Sequence, residues 1–350
     1  MTDFVLILLV KGRERFTERW LEYMSEVNFK HKIAIGNGNK KSFTFIKKLI
    51  NKKKYSNLNI EYHCYDNQNY KDYYYMMYDV ARKQKKSKLL KFCDNDDFIL
   101  PYQLDNLLKL TKKNKESISV GDRDMWFSLN GGSAYGNRIY FWPDNFYRTE
   151  ESFSIRDIKK IFTNFQEPFY NIFKKEFIVK ILKEIYQINF SDLEIRGFYL
   201  QLRLMSFGKT KFYNQISYVR QHGTSQISGD NFSYTKNFVT KNIAEDVIKL
   251  KKSLVKNIKN NNLNKNLFLR EIEKGYITYL NNVVSHNLRS VNNKKIFKFK
   301  KLLKDKLPII LNLIRKLQYF KENYFLKKNY YKDYKLFKKE IYFVKKFLLS

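Results

Sequence analysis

The chain has 350 residues and 43% of them are hydrophobic, so it is long enough for two domains and too apolar to be disordered by composition. Lys and Arg number 68 against 34 Asp and Glu, a formal net charge of +34 that attracts nucleic acid, acidic lipid or phosphorylated small molecules. The two cysteines, Cys64 and Cys93, stand apart and outside any CxxC pair, which excludes zinc-ribbon and dithiol motifs and fits reduced, cytosolic thiols.

In chain order, Phe4 to Val10 is a continuous apolar run, the pattern of a strand buried on both faces. It lacks the basic stretch and small-residue cleavage site of a secretory leader. No run reaches the ~18 apolar residues that a membrane span needs. Arg15 to Val27 carries Phe16, Trp20, Leu21 and Met24 at helical spacing. His31 to Ile35 reads as a second strand, Ser42 to Ile50 as a helix, and Ile60 to Tyr65 as a third strand. A tyrosine-rich helix over Lys71 to Lys85 and a fourth strand over Leu89 to Cys93 follow. Pro101 opens a further helix to about Lys113, as proline at a first helical position does.

This alternation predicts βαβ units and a mostly parallel sheet with helices on both faces. Ligands of such sheets bind beyond the carboxyl ends of the strands. The loops at 11–13, 36–39, 66–70 and 94–97 are therefore expected along one edge. Short strands are expected at 119–120, 125–129 and 138–142, helical patterning over 155–185, and a strand at 216–220. Beyond about residue 234 the chain is Lys/Asn-rich and helical, and residues 251–350 hold about twenty more basic than acidic side chains. The domain division expected is 1–235 for an α/β catalytic domain and 236–350 for a Lys-rich helical region.

Asp94-Asn95-Asp96-Asp97 places three carboxylates within four positions at a strand end. Their mutual repulsion calls for a partner, and a divalent Mg2+ or Mn2+, a hard ion that takes oxygen ligands, supplies one. An acidic turn with Asp97 capping the next helix accounts for the same residues. An EF-hand does not fit, because the sixth position from Asp94 is Ile99 instead of Gly.

The apolar strand, Asp-x-Asp-Asp and Phe98-Ile99-Leu100-Pro101 together resemble the metal-binding motif of family 2-like glycosyltransferases with the GT-A, Rossmann-like fold. Leu9 to Phe16 with Glu18 to Tyr23 is similar to their opening strand, loop and first helix. Ile33 to Asn39 is similar to their second strand, with Asn37-Gly38-Asn39 where Asp-Gly-Ser is usual. The resemblance covers residues 1 to 115 well and is patchier to about 230. It implies a nucleotide-sugar donor and Mn2+ or Mg2+ as cofactor. Asp96 would be the direct metal ligand, and Asp94 would meet ribose or the metal through water. Lys11 and Arg13 would meet donor phosphate or base, where a solvated basic loop is the plain alternative. Asn37 would hold base or ribose without the charge of the usual Asp. The acceptor base falls at Phe190 to Ile195, with Asp192 favoured and Glu194 as alternative, although Asp192 is equally placed as a helix N-cap. In Tyr218 to Gly223, Arg220 would neutralise phosphate, and His222 would be a third metal ligand or touch the diphosphate, against a structural role for a lone histidine.

The implied function is metal-dependent and inverting transfer of a sugar to a saccharide or lipid-linked acceptor, in surface polysaccharide or lipopolysaccharide synthesis. The expected location is the cytoplasm, with peripheral attachment at the inner face of the plasma membrane. Leu336-Phe337, Ile341 and Phe347-Leu348 among lysines fit a basic helix lying on an anionic membrane, and equally an appendage packed on the catalytic domain. Two rivals are weaker. A nucleic-acid-binding protein matches the charge, but no RNP-type motif, zinc finger or recognition helix is present. A sugar nucleotidyltransferase needs a glycine-rich phosphate loop, and Val10 to Arg13 has one glycine.

Overall fold

The computed structural model describes residues 3–122, 124–128, 158, 161–162, 168–213, 215–222, 243–258, 264–292 and 333–349. The first part alternates strand and helix: β1 (Phe4–Val10), α1 (Glu14–Glu26), β2 (Lys32–Asn37), α2 (Phe43–Ile50), β3 (Ile60–Cys64), α3 (Tyr70–Lys83), β4 (Leu89–Asp94), a short β5 (Phe98–Ile99) and α4 (Pro101–Lys113). Then come β6 (Ser117–Gly121), β7 (Asp124–Ser128), β8 (Ile172–Lys174), α5 (Lys175–Ile188), α6 (Leu193–Phe207), β9 (Lys209–Phe212) and β10 (Tyr218–His222). Three helices complete the described chain, α7 (Ile243–Asn257), α8 (Lys265–Asn292) and α9 (Tyr334–Leu349).

Among the described residues, seven strands form one sheet in the order β3-β2-β1-β4-β8-β6-β9. Strands β1 to β4 are mutually parallel, and β8 runs antiparallel between β4 and β6. This is the mostly parallel, helix-flanked sheet that the GT-A resemblance implies. A second, three-stranded sheet, β5-β10-β7, stands beside it. Its β5 and β10 pair Ile99 with Tyr218 and Phe98 with Val219, joining the segment just past the acidic loop to a strand 120 residues away.

Period-two alternation decides which core each residue of β1 enters. Phe4, Leu6, Leu8 and Val10 face a core shared with Trp20, Leu21, Tyr23 and Met24 of α1 and Leu104, Leu107 and Leu108 of α4. Val5, Ile7 and Leu9 face the other core, with Met76, Met77 and Val80 of α3, Ile181 and Ile185 of α5 and Phe198 and Leu202 of α6. Both faces are covered, so the strand needs no polar side.

The helices past residue 236 complete these same cores. Leu250 and Leu254 of α7 and Phe268 and Ile272 of α8 enter the second core. In α9, Phe337, Ile341, Val344 and Phe347 enter the first. The apolar side chains at 337, 341 and 347 are therefore inside the protein, which agrees with the packed appendage, the second of the two expectations for this helix, and not with a membrane-facing stripe; Leu336 remains exposed. Glu340 accepts a hydrogen bond from the Tyr102 backbone N–H at 2.7 Å, and so caps the first turn of α4 from across the fold. The Lys346 ammonium meets Glu26 at 2.7 Å. No described helix is long and apolar enough to cross a membrane.

The strand expected at 138–142 lies outside the described residues. Of the span expected to be helical, 155–185, the part from Ile172 to Lys174 is instead the antiparallel strand β8, with α5 starting at Lys175.

Candidate active site

The carboxyl ends of β1 and β4 and the start of α3 surround a cleft of about 620 Å³, lined by Lys11 and Arg13, by Asn69, Tyr70, Tyr73 and Tyr74, by Asp94 to Asp97, and by Phe169, Tyr170, Arg220 and Gln221. The edge is the one expected. Three of the four strand-end loops contribute, and the loop at 36–39 does not.

The opening loop is built by two successive left-handed residues, Gly12 at φ 73° and Arg13 at φ 58°. A non-glycine residue held there costs roughly 1 kcal/mol or more and marks a place where geometry serves the site. The turn makes Arg13 the first residue ahead of α1 and sends its guanidinium across the cleft to Asp96, at 2.5 Å. Asn95 lies beneath, with its amide donating to Thr17 Oγ1 at 3.0 Å and to the carbonyls of Gly12 and Arg13. The two loops are thus one rigid unit.

The three carboxylates have different surroundings. Asp94 lies at the end of β4 and accepts a hydrogen bond from the Tyr170 hydroxyl at 2.9 Å. Burial, then the negative charge of Asp96, pushes its carboxyl up to about 6, against the opposing pull of Tyr170, Arg220 and Arg13. Asp97 is buried, accepting from the Tyr218 hydroxyl and from the Gln221 backbone N–H at 2.9 Å. Burial, followed by the charge of Asp96, raises it well above the carboxylate range. Asp97 does not cap α4, whose N-cap is Leu100; it ties the acidic loop to β10.

Arg19 belongs to α1, and no motif in the sequence marks it out. It donates to Gln221 Oε1 at 2.5 Å and lies over the rings of Phe16 and Phe98 at 4.7 and 5.0 Å. Burial pulls it down to about 10, partly offset by Asp96. Arg220 lines the cleft with its guanidinium 4.6 Å over the Tyr170 ring. Nothing in the sequence singles out Tyr170, which reaches the cleft only because β8 is inserted beside β4.

Other expected residues take other places. Asn37 is fully buried and bonds to Asn39, Ser42 and the Tyr62 hydroxyl. It shapes its own turn and is not among the cleft-lining residues. Asp192 is the N-cap of α6: its Oδ1 accepts from the N–H groups of Glu194 at 2.9 Å and Ile195 at 3.1 Å. No hydrogen bond to its Oδ2 is formed among the described residues. Its neighbour Leu193 reaches the cleft, while neither Asp192 nor the half-buried Glu194 lines it. The backbone of His222 pairs with Ser128, and its side chain lies outside the described residues.

No set of three His, Cys, Asp or Glu that could hold a metal by itself occurs among the described residues. Asp94 and Asp96 do line one cleft, however, and the charge of Asp96 acts on Asp94. Two carboxylates short of a full cage suit an ion that keeps waters or phosphate oxygens as its remaining ligands.

No protein-family model and no curated protein matches the sequence. Among solved structures, the 1–349 portion of S. aureus TarS is similar at 11% identity, over 82% of this chain and 92% of that one, with a TM-score of 0.44. A longer S. aureus TarS structure is similar at 11% identity over 80% of this chain and 54% of that one, TM-score 0.40. The mannosyltransferase PcManGT from Pyrobaculum calidifontis, in complex with GDP-Man and Mn2+, is similar at 9% identity over 87% and 81%, TM-score 0.44.

Proposed function

We propose that the chain is a metal-dependent glycosyltransferase that moves a sugar from a nucleoside-diphosphate donor to a saccharide or lipid-linked acceptor. One observation carries this reading: Asp94 and Asp96 share a cleft with Lys11, Arg13 and Arg220 at the carboxyl edge of a parallel sheet. Acid and base side by side are what a diphosphate bridged to a divalent ion requires.

Asp94 and Asp96 would hold Mn2+ or Mg2+, which when bound neutralises the charge that develops on the departing diphosphate. Arg13 holds Asp96 at 2.5 Å, so the guanidinium must turn from carboxylate to phosphate as a charged donor enters. Arg220 offers a planar fork to the same phosphates. Asp192 is the base we propose for the acceptor hydroxyl, because its capping bonds use one oxygen and leave the other to take a proton. Glu194 is the alternative. Inversion at the sugar carbon, a role in surface polysaccharide or lipopolysaccharide synthesis, and a place at the cytoplasmic face of the membrane belong to the same reading. Any membrane attachment would then be electrostatic, through lysines, since the apolar side of α9 is spent on the core.

The test is thermal stabilisation by nucleoside diphosphates and nucleotide sugars with Mn2+, GDP-mannose among them. A ligand at a hundred times its dissociation constant adds about 2.7 kcal/mol to native-state stability. Asp96→Ala is expected to abolish the metal-dependent part of that gain. Wild-type protein indifferent to every diphosphate tried, with and without metal, would refute the donor site.

A further inference from the structure

Lys91 is the feature of the fold that the proposed reaction leaves unused. It sits in β4 within Leu-Leu-Lys-Phe-Cys-Asp, and its side chain is 0% exposed. A buried ammonium in a central strand is expensive, and a hydrophobic side chain of similar volume would serve the core as well or better. Its partners show what it holds. The ammonium donates to the Tyr170 carbonyl and lies 5.3 Å from the centre of the Tyr218 ring. It is 3.7 Å from Asp122, which in turn accepts from the Ser217 backbone N–H at 2.6 Å, one residue before Tyr218. One buried charge pair thus fixes the backbone of both tyrosines.

The tyrosines stack on each other, with centroids 4.4 Å apart and planes 29° apart. Arg220 lies 4.6 Å over Tyr170. A ring and a guanidinium at those distances cannot share one face, so Arg220 covers the outer face of Tyr170. Lys91 lies 5.3 Å from the centre of the Tyr218 ring while its ammonium is bonded to the Tyr170 carbonyl, so it sits beside the ring pair and anchors it. The result is a column of cation, ring and ring, Arg220 on Tyr170 on Tyr218, tied to β4 by Lys91. Each hydroxyl leaves the column sideways to a different carboxylate of the acidic loop, Tyr170 to Asp94 and Tyr218 to Asp97.

We propose that Lys91, Tyr218 and Tyr170 form a positioning column that fixes Arg220 and Asp94 relative to each other, so that Tyr170 sets both the anion-facing cation and the metal-facing carboxylate. The Asp94 half rests on the glycosyltransferase reading; the Arg220 half stands on anion binding alone. Tyr170 does two separable things. Its ring carries Arg220, and its hydroxyl orients Asp94 by occupying Oδ2. A partner hydrogen-bonded to a metal ligand is typically worth ten- to a hundredfold in metal affinity.

The experiment uses the full chain and two probes: inorganic pyrophosphate without metal, by calorimetry, and Mn2+ alone, by the paramagnetic signal of the free ion. Tyr170→Phe keeps the ring and removes the hydroxyl. It is expected to weaken Mn2+ binding about tenfold while pyrophosphate affinity stays within about twofold. Tyr170→Leu removes both and is expected to lower pyrophosphate affinity by roughly two- to fivefold as well. Lys91→Met with Asp122→Asn, which leaves no charge stranded, is expected to lower pyrophosphate affinity although neither residue lines the cleft. Tyr170→Phe alone decides the matter if the other variants do not fold.

The column is overturned if Tyr170→Phe shifts both probes equally or neither, or if Tyr170→Leu leaves pyrophosphate binding intact. Wild-type protein that binds pyrophosphate with this dependence but no Mn2+ overturns the metal reading and keeps the Arg220 half. Binding of neither probe overturns both.

Discussion

Glu340 offers a test of how α9 is docked. Its Oε1 accepts from the first turn of α4, while Oε2 is buried and has no hydrogen-bond partner. Burial pushes the carboxyl up from 4.5 to about 7, with Asp105 adding to the rise and the N–H groups of Tyr102 and Gln103 opposing it. The sign follows from linkage. A carboxyl whose folded value is raised binds its proton more tightly in the native state, so the native state loses stability as pH climbs from about 4.5 to about 7. At 1.36 kcal/mol per pH unit, that interval corresponds to about 3 kcal/mol. Glu340→Gln mimics the protonated form at every pH. The stability difference, variant minus wild type, should be near zero at pH 4, rise through the interval, and level off near 3 kcal/mol in favour of the variant by pH 8. Urea unfolding followed by tryptophan fluorescence reads this as a midpoint shift of about 1 M at the upper end, with an m-value near ~3 kcal/mol/M. Taking the difference cancels titrations common to both proteins, such as that of Asp94. A flat difference across pH would show that the carboxylate is solvated and that the buried cap is misread.

Three further outcomes are expected. Asp192→Ala should lose about 1 kcal/mol of stability with the cap, whereas Asp192→Asn should keep the cap and still lower turnover of donor and acceptor by roughly a hundred- to ten-thousandfold; full activity in the Asn variant would move the base to Glu194. Gly38→Ala would place its Cβ 2.2 Å from the amide nitrogen of buried Asn67, and denaturation should show a loss of about 1–3 kcal/mol. Gly275→Ala would bring a methyl 2.4 Å from the Phe162 ring, so a similar loss is expected where α8 meets the second core, and an unchanged midpoint would argue against that contact.

Apart from the two-residue β5, the strands and helices up to Lys113 were legible because each carries its own period and its own boundary signals, from the double-sided apolar run of β1 to Pro101 at the head of α4. The acidic loop and Arg220 were legible because their chemistry is dense in sequence. Strand β8 was not. It has three residues, and only its place between β4 and β6 makes it a strand. Tyr170 was lost with it. Lys91 reads as one polar residue in an apolar run, and its meaning resides in contacts with Asp122, Tyr170 and Tyr218, none of them a sequence neighbour. The bonding of Asn37 is hidden for a related reason: four of its hydrogen bonds stay with Asn39 and Ser42 in its own loop, but the fifth reaches the Tyr62 hydroxyl, 25 positions away. Local pattern reports elements. It does not report which polar group a distant strand will claim.

Helix α9 also imposes an order of events on a nascent chain. Glu340 caps a helix that begins 239 positions earlier, and Lys346 pairs with a residue 320 positions away. Until that last described helix emerges from the ribosome, the first turn of α4 has no carboxylate over it, and the wall of Tyr23, Phe98 and their neighbours has no Phe347 to cover it. The sheet can assemble early, from local βαβ units, but the shelf that supports the acidic loop closes only once α9 is available to dock. Shortened chains would therefore be expected to display that open wall to chaperones.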